Sequence, residues 1–348
     1  MAKEVKRTII QSIKEGQYKH NKFLYFVQNL VIYFCAKFLQ TNSPLTRWNK
    51  LSNEEKHMVL KRVKYYNKLD KITIIPEQER IFLKDFKRPK KKKRSKSKRK
   101  GGSVTTYFFD TFRVTKYFSK NLYIALRFGD VTEVPHVPAL VKSRPIHGSN
   151  HNAIVLKLNK IRHFLFIKDP VPFEQKENIL IGRSVVALEK RKRFFEMYFD
   201  HPLCNIGNTG INTGAPAQWG KDRLTILEHL KYKFILCIEG VDVATNLKWV
   251  MSSNSLAVMP NPEFETWFME GTLIPNYHYI QIKRDYSDLE ERLQYYINHP
   301  EEAKAIIKHA HEYIEQFKNK KLEKLIGVMV MERYFEKTGQ LDYCTEYE

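Results

Sequence analysis

Five polar residues, Glu239, Asp242, Asn246, Lys248 and Glu265, fall between or just after short apolar runs in residues 231–283, KYKFILCIEGVDVATNLKWVMSSNSLAVMPNPEFETWFMEGTLIPNYHYIQIK. If those runs are strands of an open α/β sheet, their carboxyl ends border the crevice in which such sheets bind ligands. These five residues are therefore the first candidates for a site. A second group is Gly182-Arg183-Ser184, followed by a helical stretch that carries Arg191, Lys192 and Arg193. A glycine followed by Arg-Ser, where a strand passes into a helix, lets backbone and guanidinium approach a phosphate together. Asp130 stands where the apolar run Leu122–Phe128 gives way to a loop, and taken alone it is a turn former or helix cap.

Around these residues the chain alternates strand-like and helix-like segments. Phe234–Ile238, Leu256–Met259 and Tyr277–Ile282 are strand-like, and Val243–Met251 between them is helix-like, which is the pattern of parallel α/β units. Ile179–Ile181 predicts a further short strand, closed by Gly182-Arg183-Ser184, and Leu224–Leu230 a short helix. GNTGINTGAP, residues 207–216, is glycine-rich but matches neither phosphate-binding glycine fingerprint and is expected to be a surface loop. Helices are expected over 8–39, from the capping box Ser52–Glu55 to about Leu69, from a second box Ser287–Glu290 to about Asn298, from Pro300, and over Lys321–Phe335. The segment FLYFVQNLVIYFCAKFL within the first of these is interrupted by Gln28, Asn29 and Lys37. It is expected to be a core helix, with an interfacial membrane helix as the other reading.

A length of 348 residues suits two domains or one large one. The net charge of +22 is concentrated: Lys87–Lys100, KRPKKKKRSKSKRK, holds eleven cations and is expected to be solvated and mobile up to Gly101-Gly102. Such a run favours anionic partners, whether lipid headgroups or nucleic acid, although no aromatic residue is interleaved to stack on bases. The four cysteines, Cys35, Cys204, Cys237 and Cys344, show no paired spacing, and the N-terminus has no signal-peptide pattern, so reduced thiols in the cytoplasm are expected. No apolar stretch approaches the ~20 residues of a spanning helix.

Lys231–Phe234, Glu239-Gly240-Val241-Asp242, Asn246-Leu247-Lys248-Trp249, Ser255–Met259, Glu265–Phe268 and His278–Ile280 occur in an order and spacing similar to the donor half of glycosyltransferase family 90. That family includes capsule-associated CAP10 proteins, bacterial lipopolysaccharide glycosyltransferases and protein O-glucosyltransferases. The stretch GDVTEVPHVPALVKSRPI, residues 129–146, resembles the bacterial branch, as does His201–Asn205. The resemblance covers 105–335.

It implies a GT-B fold, α/β with two Rossmann-like domains facing a cleft, added N-terminal helices and a C-terminal helix crossing back. The corresponding boundaries are a helical region 1–86, the basic segment 87–102, an acceptor-side domain 103–172, a donor domain 173–320 and the returning helix 321–348. It implies an inverting transfer from a nucleotide-sugar, a UDP-sugar first, to a lipopolysaccharide or lipooligosaccharide acceptor at the inner face of a bacterial inner membrane. The basic run would meet the anionic membrane surface there, and no nucleic acid is expected as a partner. Asp130 takes the role of catalytic base. Arg183, Ser184, Arg191 (or Arg193) and Lys248 hold the diphosphate, Glu239, Gly240 and Asn246 the diphosphate or sugar, and Glu265 the ribose. Lys142 and Arg144 lie on the acceptor side. No aspartate pair suited to a metal–diphosphate bridge stands out, in agreement with a metal-independent reaction that needs no cofactor. The alternative, from another class, is a nucleic-acid-binding protein built on 87–100.

Overall fold

The chain is described from a computed structural model, which covers residue 18 and residues 20–35, 43–89 and 101–342, with side chains from 105 onward in the last stretch. Cys344, the outer parts of the helix expected over 8–39 and all but the first three residues of the basic run lie outside the described residues. Two compact units are present. The first comprises 1–21, 162–262 and 272–316, and the second 22–161, 263–271 and 317–348.

In chain order the second unit begins with α1 (Lys22–Cys35) and α2 (Asn53–Tyr66). The capping box at the start of α2 forms as expected: Ser52 Oγ accepts the Glu55 N–H, and the Glu55 carboxylate accepts the Ser52 N–H. After β1 (Ile81–Phe82) comes α3 (Gly101–Thr115). The strand expected over 122–128 is split into β2 (Tyr123–Ile124), antiparallel to β1, and β3 (Leu126–Arg127), parallel to β4 (Ala139–Val141). Ala125 between them turns its N–H out of the ladder to the Tyr334 hydroxyl oxygen at 2.9 Å. β5 (Ser143–Pro145) follows, and β6 (Ala153–Val155) completes a three-stranded parallel sheet in the order β3-β4-β6.

The first unit contains β7 (Glu177–Ser184), α4 (Glu189–Tyr198), β8 (Cys204–Asn208), β9 (Tyr232–Leu236) and β10 (Leu256–Met259). The chain then contributes β11 (Phe264–Thr266) to the second unit, where it pairs antiparallel with β5, and resumes in the first with β12 (Ile280–Gln281). α5 (Leu289–Asn298) and α6 (Pro300–Glu315) follow. The capping box expected at Ser287–Glu290 does not form. The Ser287 hydroxyl donates to Asp285 instead, and Asp288 is the N-cap residue without a side-chain cap.

The five strands of the first unit are all parallel, in the order β12-β10-β9-β7-β8. Numbered within the unit this is 2-1-3-4-5, the order of a doubly wound sheet whose direction of winding reverses between β7 and β9. The central strands are apolar on both faces, with Leu180, Ile181, Phe234, Ile235, Leu256 and Val258 buried, as parallel strands covered on both sides require. Phe194, Phe195 and Tyr198 of α4 and Leu289 and Leu293 of α5 join this core.

α7 (Lys320–Lys337) returns to the second unit and packs on α2 and α3. Twelve of its eighteen residues are buried, so it is covered nearly all round, as a central helix is. Gly327 permits the close approach to α3, since a Cβ there would lie 3.0 Å from Val114 Cγ1. No helix among the described residues is long and apolar enough to cross a membrane.

Candidate active site

The winding reversal of the five-stranded sheet has a cavity of about 420 Å³ at its mouth. Gly182, Arg183, Ser184 and Val185 line it from the end of β7, Leu236 and Ile238 from the end of β9, and Arg191 from α4. This is where a doubly wound sheet binds its ligand, because the loops after β7 and β9 diverge to opposite faces. The volume lies within the ordinary range for small-molecule sites.

The glycine–arginine–serine segment is strand rather than turn. β7 runs through Ser184, with Gly182, Arg183 and Ser184 opposite Ile206, Gly207 and Asn208 of β8. Gly182 is needed for packing: a Cβ would meet Leu236 Cβ at 3.1 Å and Ile206 Cγ2 at 3.3 Å. Arg183 is held toward β8, donating from Nη1 to the Asn205 carbonyl at 2.7 Å and from Nη2 to Asn205 Oδ1 at 3.0 Å. Arg191 joins the two diverging loops. Its Nη1 donates to the Val185 carbonyl at 3.0 Å, its Nη2 to the Ile238 carbonyl at 3.0 Å and its Nε to the Glu239 carbonyl at 3.2 Å. Gly240 leaves space for this guanidinium, since a Cβ there would stand 3.2 Å from Nη2. Asn246 is also on the lining and donates to the Leu236 carbonyl at 2.9 Å, so it secures the end of β9 from the other side.

Among the described residues four arginines line the cavity, Arg162, Arg183, Arg191 and Arg223, and no carboxylate does. Burial lowers the proton affinity of the Arg183 and Arg191 guanidinium groups below the ordinary arginine value, yet both stay cationic at any physiological pH. Cations held in part out of water and facing one cavity favour an anionic ligand that restores their solvation. His229 lines the same cavity against Trp249, with its Nδ1 2.8 Å from the Thr225 carbonyl. Burial pulls its pKa below the ordinary histidine value, so at neutral pH it offers a neutral ring.

The sequence candidates are thus distributed as follows. Arg183, Ser184, Arg191 and Asn246 come together on the cavity, with Glu239 and Gly240 adjoining through Arg191. Lys190 Nζ lies 3.6 Å from the Glu239 carboxylate. Lys248 is fully buried and is not on the lining, although its neighbours in the chain, Asn246 and Trp249, are. Its charge acts on the buried Cys237 thiol, whose pKa burial pushes up and Lys248 pulls back. Asp242 is buried as well.

The remaining candidates belong to the second unit. Asp130 follows Gly129, whose φ of +127° suits glycine alone, and its Oδ1 accepts from Lys142 Nζ at 2.6 Å. Lys142 is buried, so this ion pair orients the carboxylate at the end of the β3 segment. Arg144 and Glu265 are opposite one another in the β5–β11 ladder. Arg144 Nε donates to Glu265 Oε1 at 2.8 Å, and the Tyr65 hydroxyl donates to Glu265 Oε2. The other Arg144 nitrogens donate to the carbonyls of Tyr65, Tyr66 and Ala153.

Arg162, Arg223, Thr209, Thr245, His229 and Trp249 line the cavity without having been singled out in the sequence. A signal existed for two of them. Thr225 and Glu228 form a capping box that fixes the one-turn helix Ile226–His229, which places Arg223 and His229 beside the strand ends. The helix expected over Val243–Met251 is likewise a single turn, Leu247–Val250, because the residues before it form the loop that reaches the cavity.

A parallel, doubly wound sheet with a pocket at its winding reversal is a Rossmann-like ligand-binding architecture. The model of Glycosyl transferase family 90 matches residues 203–334. O-glucosyltransferase LpsA of Dichelobacter nodosus is 37% identical over 291 residues, 84% of this chain and 87% of that protein. The chain therefore belongs to glycosyltransferase family 90 and is a glycosyltransferase. Protein O-glucosyltransferase 3 of Homo sapiens is 30% identical over 125 residues, 34% of this chain and 24% of that one. An uncharacterized protein, 179R, of Invertebrate iridescent virus 6 is 30% identical over 132 residues, 35% of this chain and 11% of that one.

Proposed function

We propose that the chain moves a sugar, glucose first, from a UDP-sugar to a hydroxyl of a lipopolysaccharide or lipooligosaccharide acceptor, with inversion at the anomeric carbon and without a metal. The observation that carries this reading is the cavity at the winding reversal, lined among the described residues by four arginines and by no carboxylate. Glucose comes first because the most extensive match described above is to an O-glucosyltransferase. The acceptor class and a location at the inner face of the bacterial membrane rest on the resemblance to the family's bacterial branch. The two units are taken as the two halves of a GT-B enzyme.

In this reaction the acceptor oxygen attacks the anomeric carbon, its proton passes to Asp130, and the bond from that carbon to the diphosphate oxygen breaks. Lys142 keeps the Asp130 carboxylate oriented for the proton. The leaving diphosphate gathers negative charge, which Arg183 and Arg191 neutralise in place of a metal ion. Both already spend N–H groups on carbonyls of the cavity walls, so they are positioned before the donor arrives. Ser184 and Asn246 donate to the same phosphates or to the sugar, with Glu239 and Gly240 shaping that end through Arg191. Lys248, fully buried and next in the chain but one to Asn246, adds positive potential. Thr209 and Thr245 offer hydroxyls to the ribose.

The test is transfer itself. The full chain is incubated with UDP-glucose, UDP-galactose or UDP-N-acetylglucosamine and truncated lipooligosaccharide, in EDTA, and the product anomer is read by NMR. Transfer from one donor to give a β-linked product is expected. An α-linked product would contradict inversion, and activity that appears only when magnesium or manganese replaces EDTA would contradict the arginine clamp.

A further inference from the structure

α1 is apolar on two faces, and among the described residues one of them packs against α3 while the other is exposed. Phe26, Leu30 and Tyr33 pack against Phe108, Phe109 and Phe112 of α3. On the same side Asn29 is buried and accepts from Arg113 Nε at 2.7 Å, and the Tyr25 hydroxyl donates to Asp110 at 2.8 Å. The helix is therefore fixed in orientation by a polar and aromatic contact surface. The opposite face carries Phe23, Leu24, Val27, Val31 and Phe34, exposed by 79%, 49%, 39%, 54% and 58%. At about 100° per residue these five fall within roughly a 100° arc of the helix, so they form one continuous apolar stripe. The sequence pattern favours a core helix, and among the described residues one face of α1 is covered. Stripes of this kind on a folded chain mark interaction surfaces.

Charge identifies the occupant. Phe86 packs into the same aromatic cluster as the covered face of α1, and α3, the partner of α1, begins at Gly101. The chain between Phe86 and Gly101 carries eleven lysines and arginines in fourteen residues. Both ends of this cationic stretch are thus anchored on elements that pack against α1. An apolar helix face in a chain that also carries this concentrated positive charge suits a surface that is apolar below and anionic above, which describes a bilayer of anionic lipid.

We propose that the outward face of α1 inserts at the headgroup boundary of an anionic bilayer, with Phe23 and Phe34 as the deepest side chains, and holds the second unit against the membrane. The proposal rests on the membrane-surface location in the proposed function, but it is read through lipid binding, which does not require sugar transfer.

The full chain and its Phe23→Ser/Phe34→Ser variant are sedimented with vesicles of phosphatidylcholine alone or of phosphatidylcholine with phosphatidylglycerol. UDP binding and the melting temperature are measured on the same samples. The wild type is expected to bind the anionic vesicles and the variant to bind them roughly a hundredfold more weakly, as loss of two inserted phenyl groups implies. The melting temperature should be unchanged, because both rings are already exposed. Equal vesicle binding by the two chains would overturn the proposal and leave the basic run acting alone. Absence of wild-type binding would overturn it too. So would a dimer in sedimentation velocity that the variant abolishes, since the stripe would then belong to a second copy of the chain. UDP binding that persists through any of these results separates failure of the membrane face from failure of the sugar-transfer reading.

Discussion

Asp130→Asn is expected to lower turnover by about 10²–10⁴-fold while leaving the affinity for UDP unchanged, the range that a positioned general base contributes. Asparagine is the informative replacement. Its amide oxygen still accepts from Lys142 Nζ, which lies 2.6 Å from the native carboxylate, so the buried lysine keeps a partner and the loop after β3 keeps its course. An amide cannot take the acceptor proton, so chemistry fails while binding survives. The comparison needs single-turnover transfer for the chemical step and a calorimetric titration of UDP for binding. A variant that turns over within about threefold of the wild type would remove Asp130 from the role of base.

The second large effect concerns stability. Glu265→Ala is expected to destabilise the chain by about 3–5 kcal/mol, because it leaves the Arg144 guanidinium buried without its counter-ion. The side chains of Arg144 and Glu265 are 0% and 2% exposed, so water cannot replace the lost carboxylate. For units of this size the melting temperature should fall by roughly 6–20 °C. An upward shift with UDP, expected of the wild type, should persist in the variant. A wild-type melting temperature together with a lost UDP shift would show Glu265 to be a ribose ligand instead of a tie between β5, β11 and Tyr65.

What could be read in advance depended on how local the cause was. Leu256–Met259 emerged with its observed bounds because a fully apolar run closed by Pro260 has few other outcomes, and the Ser52–Glu55 box formed because both of its bonds lie within four residues. The Ser287–Glu290 box had the same local pattern and failed, because a nearer acceptor, Asp285, took the serine hydroxyl. The split of the run 122–128 depends on Tyr334, 209 residues away from Ala125, and no local pattern could show it. The cavity divides in the same way. Arg183, Ser184, Arg191 and Asn246 stood in segments whose order resembled the family. Arg162 comes to the cavity from a segment before β7 that no local pattern marks, whereas Arg223 just precedes the Thr225–Glu228 box. Arg144 and Glu265 could each be singled out as polar residues near strand ends, but their mutual ion pair is a product of the β5–β11 register.

On this reading the winding reversal between β7 and β9 is the nucleotide diphosphate site. Calorimetric titration of UDP into the wild type and into Arg191→Met, both in EDTA, tests it most directly. Binding by the wild type and a loss of about 10–100-fold in the variant are expected, which corresponds to one charge-assisted contact of about 1.5–3 kcal/mol. Equal affinity in the two chains, or binding that requires a divalent cation, would contradict it.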